Sequence, residues 1–174
     1  MNANPVLRLA RPAAAALLLA ACGGVAPLPA PFPAPAPASG GGGPAGETMT
    51  ANEQTAEVAR LVNEHRARRG CPALVWDAAA ARAAQAHSDD MARRNFFSHT
   101  SPGGGTMVDR LRAQGAGFRM LAENIALGQP TAREVVRSWL ESPGHRGNIE
   151  NCGLTRHGVG VAAGRWTHVF YTPM

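Results

Sequence analysis

The stretch from residue 23 to residue 46 most limits what this chain can fold into. It consists almost wholly of Pro, Ala and Gly, with Pro alternating with Ala over residues 30–38 and four glycines at 40–43. Such a composition cannot bury a core and predicts a tether with a stiff, Pro-rich half and a flexible, Gly-rich half. In a chain of 174 residues this leaves room for one domain, which we place at residues 50–174.

The N-terminal residues have the layout of an export signal. Arg8 and Arg11 precede an apolar run over residues 13–21, which is too short to span a bilayer and ends at Cys22. The sequence Leu-Ala-Ala-Cys at 19–22 resembles a bacterial lipobox. We therefore predict a signal peptide at residues 1–21, an acylated Cys22 that inserts into the lipid bilayer, and a linker over 22–49. Ordinary cleavage that releases a secreted protein is the alternative.

The charge pattern argues against nucleic-acid binding. The chain has 17 basic residues, all Arg, against 12 acidic residues, a formal charge of +5. Removal of Arg8 and Arg11 with the signal peptide leaves 15 − 12 = +3. The arginines are spread along the chain without runs or interleaved aromatic residues, so we expect no nucleic-acid partner and a monomer.

Helical signals come first in the domain and strand signals come last. Apolar spacing and end signals predict helices over residues 53–69, 77–94 and 131–140, the last ended by Pro143-Gly144, with a shorter helix at 107–114. Alternating patterns predict strands at 158–162 and 166–171, joined by a turn at 163–165. Helices followed by an antiparallel hairpin indicate an α+β domain.

Two cysteines remain in the domain, Cys71 and Cys152. In an exported protein their simplest use is a disulfide, which would close a loop of about 80 residues and stabilise the fold by about 4 kcal/mol. A catalytic thiolate at either position is the alternative.

Three polar clusters, at residues 95–103, 122–126 and 139–146, carry most of the reactive side chains. Together with the segments 71–77 and 158–161 they resemble, in order and spacing, the motifs of the CAP superfamily, also called SCP-like domains. The resemblance covers residues 50–171. It implies an α–β–α sandwich with a central cleft that is lined by His and Glu and that in some members holds a divalent cation.

The resemblance also assigns candidate site residues. His99 and Glu123 match the first His and the first Glu of the family, and His145 belongs to the Ser-Pro-Gly-His-Arg motif of the bacterial branch. The eukaryotic branch has a second Glu where this chain has Ser142, and a second His where it has Arg165. The complete His/Glu tetrad is therefore absent.

Three functions remain open for these residues. The first is a binding module whose cleft takes a lipid, glycan or peptide ligand outside the cytoplasm. The second is a metal-assisted, peptidase-like hydrolase, in which His99 and His145 hold a divalent cation such as zinc and Glu123 acts as the base. The third is a structural cell-surface protein, in which His99, Glu123 and His145 form only a hydrogen-bonded network.

The other histidines carry less functional weight. His65 and His87 lie on predicted helices as core or boundary residues. His168 shares a strand face with Trp166 and Phe170, where contact with the cleft is conceivable but not predicted. We expect Asn124 to fix backbone rather than to contact a substrate.

Overall fold

The computed structural model describes residues 49–174. The predicted signal peptide, Cys22 and the tether up to residue 48 lie outside the described residues. The described elements are, in chain order, α1 (Ala51–Arg68), β1 (Val75–Trp76), α2 (Ala78–Arg93), α3 (Met107–Ala113), β2 (Phe118–Leu127), α4 (Ala132–Glu141), α5 (Pro143–Glu150), β3 (Arg156–Ala162) and β4 (Arg165–Pro173). The predicted α+β class is confirmed. None of the helices in residues 49–174 is both long and apolar enough to cross a membrane.

The long helices begin at residues whose side chains cap them. Thr50 and Glu53 form a reciprocal capping box at the start of α1. Asp77 accepts from the backbone amide of Ala80 at α2, and Thr131 accepts from that of Glu134 at α4. The four predicted helices are thus present, with ends that differ by one or two residues.

The expectation that Pro143-Gly144 simply ends the third helix is wrong. α4 ends at Glu141, Ser142 adopts an extended conformation, and a new helix begins at once with Pro143. Proline suits the first position of a helix because its missing amide would have no partner there. The helix-breaking pair therefore begins α5, the helix that carries His145.

The four strands form one sheet in the order β1-β3-β4-β2. The predicted hairpin is present: β3 and β4 are antiparallel, and Ala163 and Gly164 make the turn at φ of 46° and 72°. β2 pairs antiparallel with β4 along its length, whereas the short β1 runs parallel to β3. Neither β1 nor β2 is among the predicted strands, and residues 122–126 lie in the middle of β2 rather than in a loop.

Helices cover both faces of the sheet. On one face, alanines of α2 pack so closely on β3 that an added Cβ at Gly158 would lie 2.0 Å from the backbone nitrogen of Ala81. At Gly160 it would lie 2.4 Å from the Cα of Gln85. On the other face, α1, α4 and α5 enclose the larger apolar core, which contains Trp139, Trp166 and Phe170. This three-layer arrangement is the expected α–β–α sandwich.

A disulfide joins Cys71, just after α1, to Cys152, just after α5. The two Cα atoms are 4.9 Å apart and the residues are separated by 81 positions. The predicted disulfide is confirmed, and it excludes a free catalytic thiolate at either position. Closing a loop of this length stabilises the fold by about 4 kcal/mol in the chain-entropy model.

Beside the disulfide, the guanidinium of Arg66 is completely buried and is bound by main-chain oxygens. It donates to the carbonyls of Pro72, Ile149, Asn151 and Leu154 at 2.8–3.0 Å. The Ile149 carbonyl lies in the last turn of α5, where the helix itself offers no hydrogen-bond donor. Arg66 therefore fixes the end of α5 to α1.

Two buried histidines form a pair in the core. Nδ1 of His157 lies 3.0 Å from Nε2 of His168, and the ring of His168 stacks on Phe170. Burial, together with the charge of Arg66, lowers the pKa of His157 to about 4. Burial, then His157 and Arg66, holds the pKa of His168 well below its usual value. Both imidazoles are therefore neutral at neutral pH.

We predict that this pair makes the domain sensitive to acid. An imidazole whose pKa is about 4 in the folded state and near 6.5 when unfolded stabilises the fold fully above pH 6.5. That stabilisation is lost as the pH falls, and His157 alone accounts for about 3 kcal/mol between pH 6.5 and pH 4. Urea denaturation across this range measures the loss.

The variant His157→Gln removes this titration while the carboxylates of the protein stay the same. Its free energy of unfolding is expected to fall less steeply than that of the wild type between pH 6.5 and pH 4. Equal slopes for the two proteins would contradict the assignment.

Candidate functional site

The candidate site lies along β2, the strand at one edge of the sheet. β2 supplies Glu123, the segment between α2 and α3 supplies His99, and α3 supplies Arg110. α5 lies on the opposite side of β2 and brings His145 and Asn148 close to the strand. Four parts of the chain, spread over residues 99–148, therefore meet at one edge of the sheet.

The carboxylate of Glu123 is held by two partners, although its side chain is only 1% exposed. Its Oε1 lies 2.8 Å from Nδ1 of His99, and its Oε2 accepts from Nη2 of Arg110 at 2.7 Å. Arg110 also donates to the carbonyls of His99 and Gly105 at 3.0 and 3.2 Å. One guanidinium thus positions both the carboxylate and the loop that carries His99.

This environment keeps Glu123 ionised. Burial is the largest influence and opposes ionisation, but the hydrogen bond from His99 and the charge of Arg110 outweigh it and lower the pKa of Glu123. An ionised carboxylate only accepts hydrogen bonds, so Nδ1 of His99 carries the proton. The side chain of His99 is 53% exposed, so its other nitrogen is available to a ligand.

His145 reaches the site mainly through its backbone. Its carbonyl accepts from Nδ2 of Asn124 at 3.1 Å, and Oδ1 of Asn124 accepts from Asn148 at 2.8 Å. Burial and then the nearby His99 lower the pKa of the His145 imidazole. The structure thus joins His99 and Glu123 directly and places His145 beside them, without a hydrogen bond from its ring to either.

A cavity of about 490 Å³ opens in front of these groups. Its lining mixes polar and apolar side chains: His99, Thr100, Thr106, Met107, Leu121, Ala122, Glu123 and Asn148. Ligand sites typically combine an apolar wall with a few convergent polar groups, and this cavity has that character.

The donor set does not fit a divalent cation. In the part of the chain that the structure describes, no group of three or more His, Cys, Asp or Glu side chains is arranged to hold a metal ion. More directly, the guanidinium of Arg110 occupies Oε2 of Glu123 at 2.7 Å, where a cation would meet a fixed positive charge. The tentative set of His99, His145 and Glu123 therefore does not form a coordination sphere here.

Arg110 is the site residue that the sequence analysis missed. Its only sequence signal is its place on the short helix that Thr106 and Asp109 cap. Nothing in the spacing pairs it with Glu123, which lies 13 residues further along the chain. A buried carboxylate requires a cationic partner, but this principle points to Arg110 only once Glu123 is known to be buried.

The other histidines serve the fold. Nε2 of His87 lies 2.9 Å from the carbonyl of Ser98, so this buried ring supports the loop that carries His99. His65 pairs with Glu150 at 2.8 Å on the far side of α5. His168 lies wholly in the core and does not line the cavity. Asn124 is fully buried and fixes the backbone of α5, the role expected for it, although from a strand.

Comparison with known proteins places these features in a family. The family model described as CAP, the cysteine-rich secretory protein family, matches residues 59–172. The uncharacterized protein YkwD of Bacillus subtilis is 40% identical over 116 residues, which cover 66% of this chain and 45% of YkwD. The uncharacterized membrane protein YlbC of the same organism is 37% identical over 114 residues, covering 66% and 33%. The chain therefore spans less than half the length of these relatives.

Solved structures share the fold. An extracellular protein with an SCP domain from Bacillus anthracis superimposes with a TM-score of 0.66 at 35% identity, over 72% of this chain and 45% of that one. An outer surface protein of Borrelia burgdorferi gives a TM-score of 0.67 at 19% identity, over 74% of this chain and 99% of its own. The second similarity concerns the fold alone.

We predict that Arg110→Met destabilises the domain at neutral pH by about 3 kcal/mol, because it leaves the buried Glu123 carboxylate without its cation. The pKa of Glu123 should rise, so the deficit should shrink as the pH falls and this carboxylate becomes protonated in both proteins. Urea denaturation at several pH values measures the deficit, and carboxyl NMR measures the pKa.

Arg137→Met is the matched control, since Arg137 lies exposed on α4. Its effect is expected to stay within about 0.5 kcal/mol at every pH. A similar response from the two variants would show that Arg110 does not hold Glu123 in its charged form.

Proposed function

The chain belongs to the cysteine-rich secretory protein (CAP) family, and from this membership we propose that it is an exported, lipid-anchored binding module. Its cleft at His99 and Glu123 takes a ligand outside the cytoplasm. The folded domain acts as a monomer that the linker over residues 22–49 holds away from the membrane.

The observation that carries this proposal is the state of Glu123. Both carboxylate oxygens are engaged, by His99 and by Arg110, at the wall of a cavity of about 490 Å³. These groups are already oriented, so a ligand meets the exposed His99 ring without first having to order it. Pre-organised polar groups beside an apolar wall support recognition.

The metal-assisted hydrolase receives less support from the same contacts. In that mechanism Glu123 takes a proton from a water molecule that the cation activates, which requires a carboxylate oxygen free to accept it. Here His99 and Arg110 lie 2.8 and 2.7 Å from the two oxygens. Ser98 receives no support as a replacement nucleophile, because in residues 49–174 its hydroxyl contacts the backbone amide of Thr100 and no side-chain base.

The location outside the cytoplasm is supported from two sides. The N-terminal residues read as a signal peptide at 1–21 followed by an acylated Cys22. Among the similar proteins, one is described as extracellular, one as an outer surface protein and one as a membrane protein. The ligand is therefore sought among the lipids, glycans and peptides of the cell envelope or of its surroundings.

We predict that ligands of the cleft raise the melting temperature of the full chain in a way that depends on the site but not on metal. The test panel contains fatty acids, cell-wall glycan fragments and short peptides, each with and without EDTA. Glu123→Gln should weaken binding by about tenfold, because one of the two charge-assisted hydrogen bonds that orient the site is lost.

The triple variant with His99→Ala, Glu123→Gln and His145→Ala should bind no member of the panel, whereas Arg137→Met should bind as the wild type does. If the triple variant responds to every ligand as before, the cleft is not the binding site. Activity against peptides that EDTA abolishes and zinc restores would instead favour the hydrolase.

The anchor is tested separately. We predict that Cys22→Ala prevents incorporation of a palmitate analogue and releases the protein from the membrane fraction. The reason is that the sulfur of Cys22 is the atom that is acylated in the proposed lipobox. Metabolic labelling followed by fractionation measures both effects. Unchanged membrane association of Cys22→Ala would contradict lipid anchoring and leave the cleft proposal untouched.

A further inference from the structure

Within residues 49–174, one side of β2 faces no other strand. The sheet order places β2 at the edge, paired with β4 alone. The backbone groups on its outer side are therefore open to partners other than strands of this sheet. Two of them are already bound by side chains: the carbonyl of Ile125 accepts from Nε1 of Trp139, and that of Glu123 accepts from Nδ2 of Asn148.

These two contacts show which backbone groups point outward. Along a strand the amide and carbonyl of a residue point to the same side, and successive residues alternate. The carbonyls of Glu123 and Ile125 point away from β4. The same outward direction therefore holds for the amide of Glu123 and for both the amide and the carbonyl of Leu121. Three strand-type hydrogen-bonding groups thus lie in a row along the outer edge.

The residues that carry this row line the cavity. Leu121, Ala122 and Glu123 are cavity-lining residues, with Thr106 and Met107 from the α3 side and Asn148 from α5. The open edge is therefore recessed between the two helical layers of the sandwich. A groove in which polar backbone lies between helical walls suits a chain in extended conformation.

The charges at this edge favour a peptide with an acidic side chain. Glu123 is the one acidic residue among those that line the cavity, and His99 and Arg110 engage both of its oxygens. At the open end of the edge Arg119 sits in an irregularity between Phe118 and Met120, and its side chain is exposed. A charged residue in a bulge also discourages pairing with another complete sheet edge.

We propose that the cleft binds an extended peptide segment with an acidic residue, which adds to the sheet as a short strand beside β2. The amide and carbonyl of Leu121 exchange two hydrogen bonds with one residue of the peptide, and the amide of Glu123 donates a third to the peptide. The acidic side chain pairs with Arg119. This inference rests on the proposed binding function and names its ligand class.

The test uses mixtures of hexapeptides, because strand pairing depends on the backbone and not on one sequence. The peptides are acetylated and amidated, carry a single glutamate and are otherwise randomised. Two further mixtures carry N-methyl groups on alternate amides, at odd or at even positions. Binding to the isotope-labelled full chain is followed through backbone amide shifts and hydrogen exchange.

The unmethylated mixture is expected to shift the amides of Leu121 and Glu123 and to slow their exchange. The methyl groups of each mixture block one edge of the peptide and leave the other edge free. In a given peptide register only one of the two methylation patterns should therefore weaken binding, by about tenfold or more. A mixture with lysine in place of glutamate should bind the wild type more weakly than the glutamate mixture does. In Arg119→Glu the lysine mixture should not be the weaker of the two.

Leu121→Pro removes the outward amide without removing a bond to β4, and Leu121→Ala is its matched control, with the side chain shortened and the amide kept. Leu121→Pro is expected to bind the unmethylated peptides about tenfold or more weakly than Leu121→Ala does. If Leu121→Pro does not fold, the amide shifts and exchange rates of the wild type decide alone.

Two results would overturn the inference: no shift of the Leu121 or Glu123 amide with millimolar peptide, or equal binding of the two methylated mixtures. A fatty acid or glycan that binds through His99 and Glu123 but leaves the Leu121 amide unprotected would also overturn it. That last result would leave the proposed binding function standing, so the two failures are distinguishable.

Discussion

The buried guanidinium of Arg66 is the contact on which the geometry of the cleft depends. It joins α1 to the end of α5 through the carbonyls of Ile149 and Asn151, and the disulfide from Cys71 to Cys152 closes the same region. α5 is short and has a low intrinsic tendency to form, because Pro-Gly-His-Arg-Gly contains poor helix formers. It can hold Asn148 against β2 because Arg66 fixes the adjacent Ile149 and the disulfide fixes the segment that follows α5.

The protein buries positive charge in two different ways. Arg66 has only neutral carbonyls as partners, and the nearby His157 and His168 remain neutral because burial, and to a smaller extent the charge of Arg66, lowers their pKa values. Arg110 instead faces the ionised Glu123. The first arrangement rigidifies a core, while the second keeps a charge pair at the wall of an open cavity. The buried cations of the fold thus serve two environments, the core and the wall of the cavity.

The parts of the structure that follow from local sequence could be predicted. The helix starts predicted at residues 77 and 131 lie within one residue of the observed ones, whereas the start predicted at residue 53 is two residues late, although Thr50 caps α1. β2 was missed because Glu123 and Asn124, in the middle of the strand, are polar yet buried, so the sequence shows no alternation. His99 and Glu123 were found through family resemblance alone, whereas their partner Arg110 is defined by tertiary packing and has no signal in the sequence.

The positions at which this chain departs from the His/Glu tetrad agree with a cleft that works by hydrogen bonding. Ser142, where the eukaryotic branch has a Glu, lies at the junction of α4 and α5, so a residue there shapes the path of the chain. Arg165, where that branch has a His, donates to Oδ1 of Asn95 at 2.8 Å. Without the second carboxylate and the second imidazole of that tetrad, the remaining pair of His99 and Glu123 is balanced by Arg110. A fixed guanidinium stabilises the carboxylate from outside the group of residues that line the cavity, so His99 and the β2 residues Leu121 and Ala122 remain in its lining.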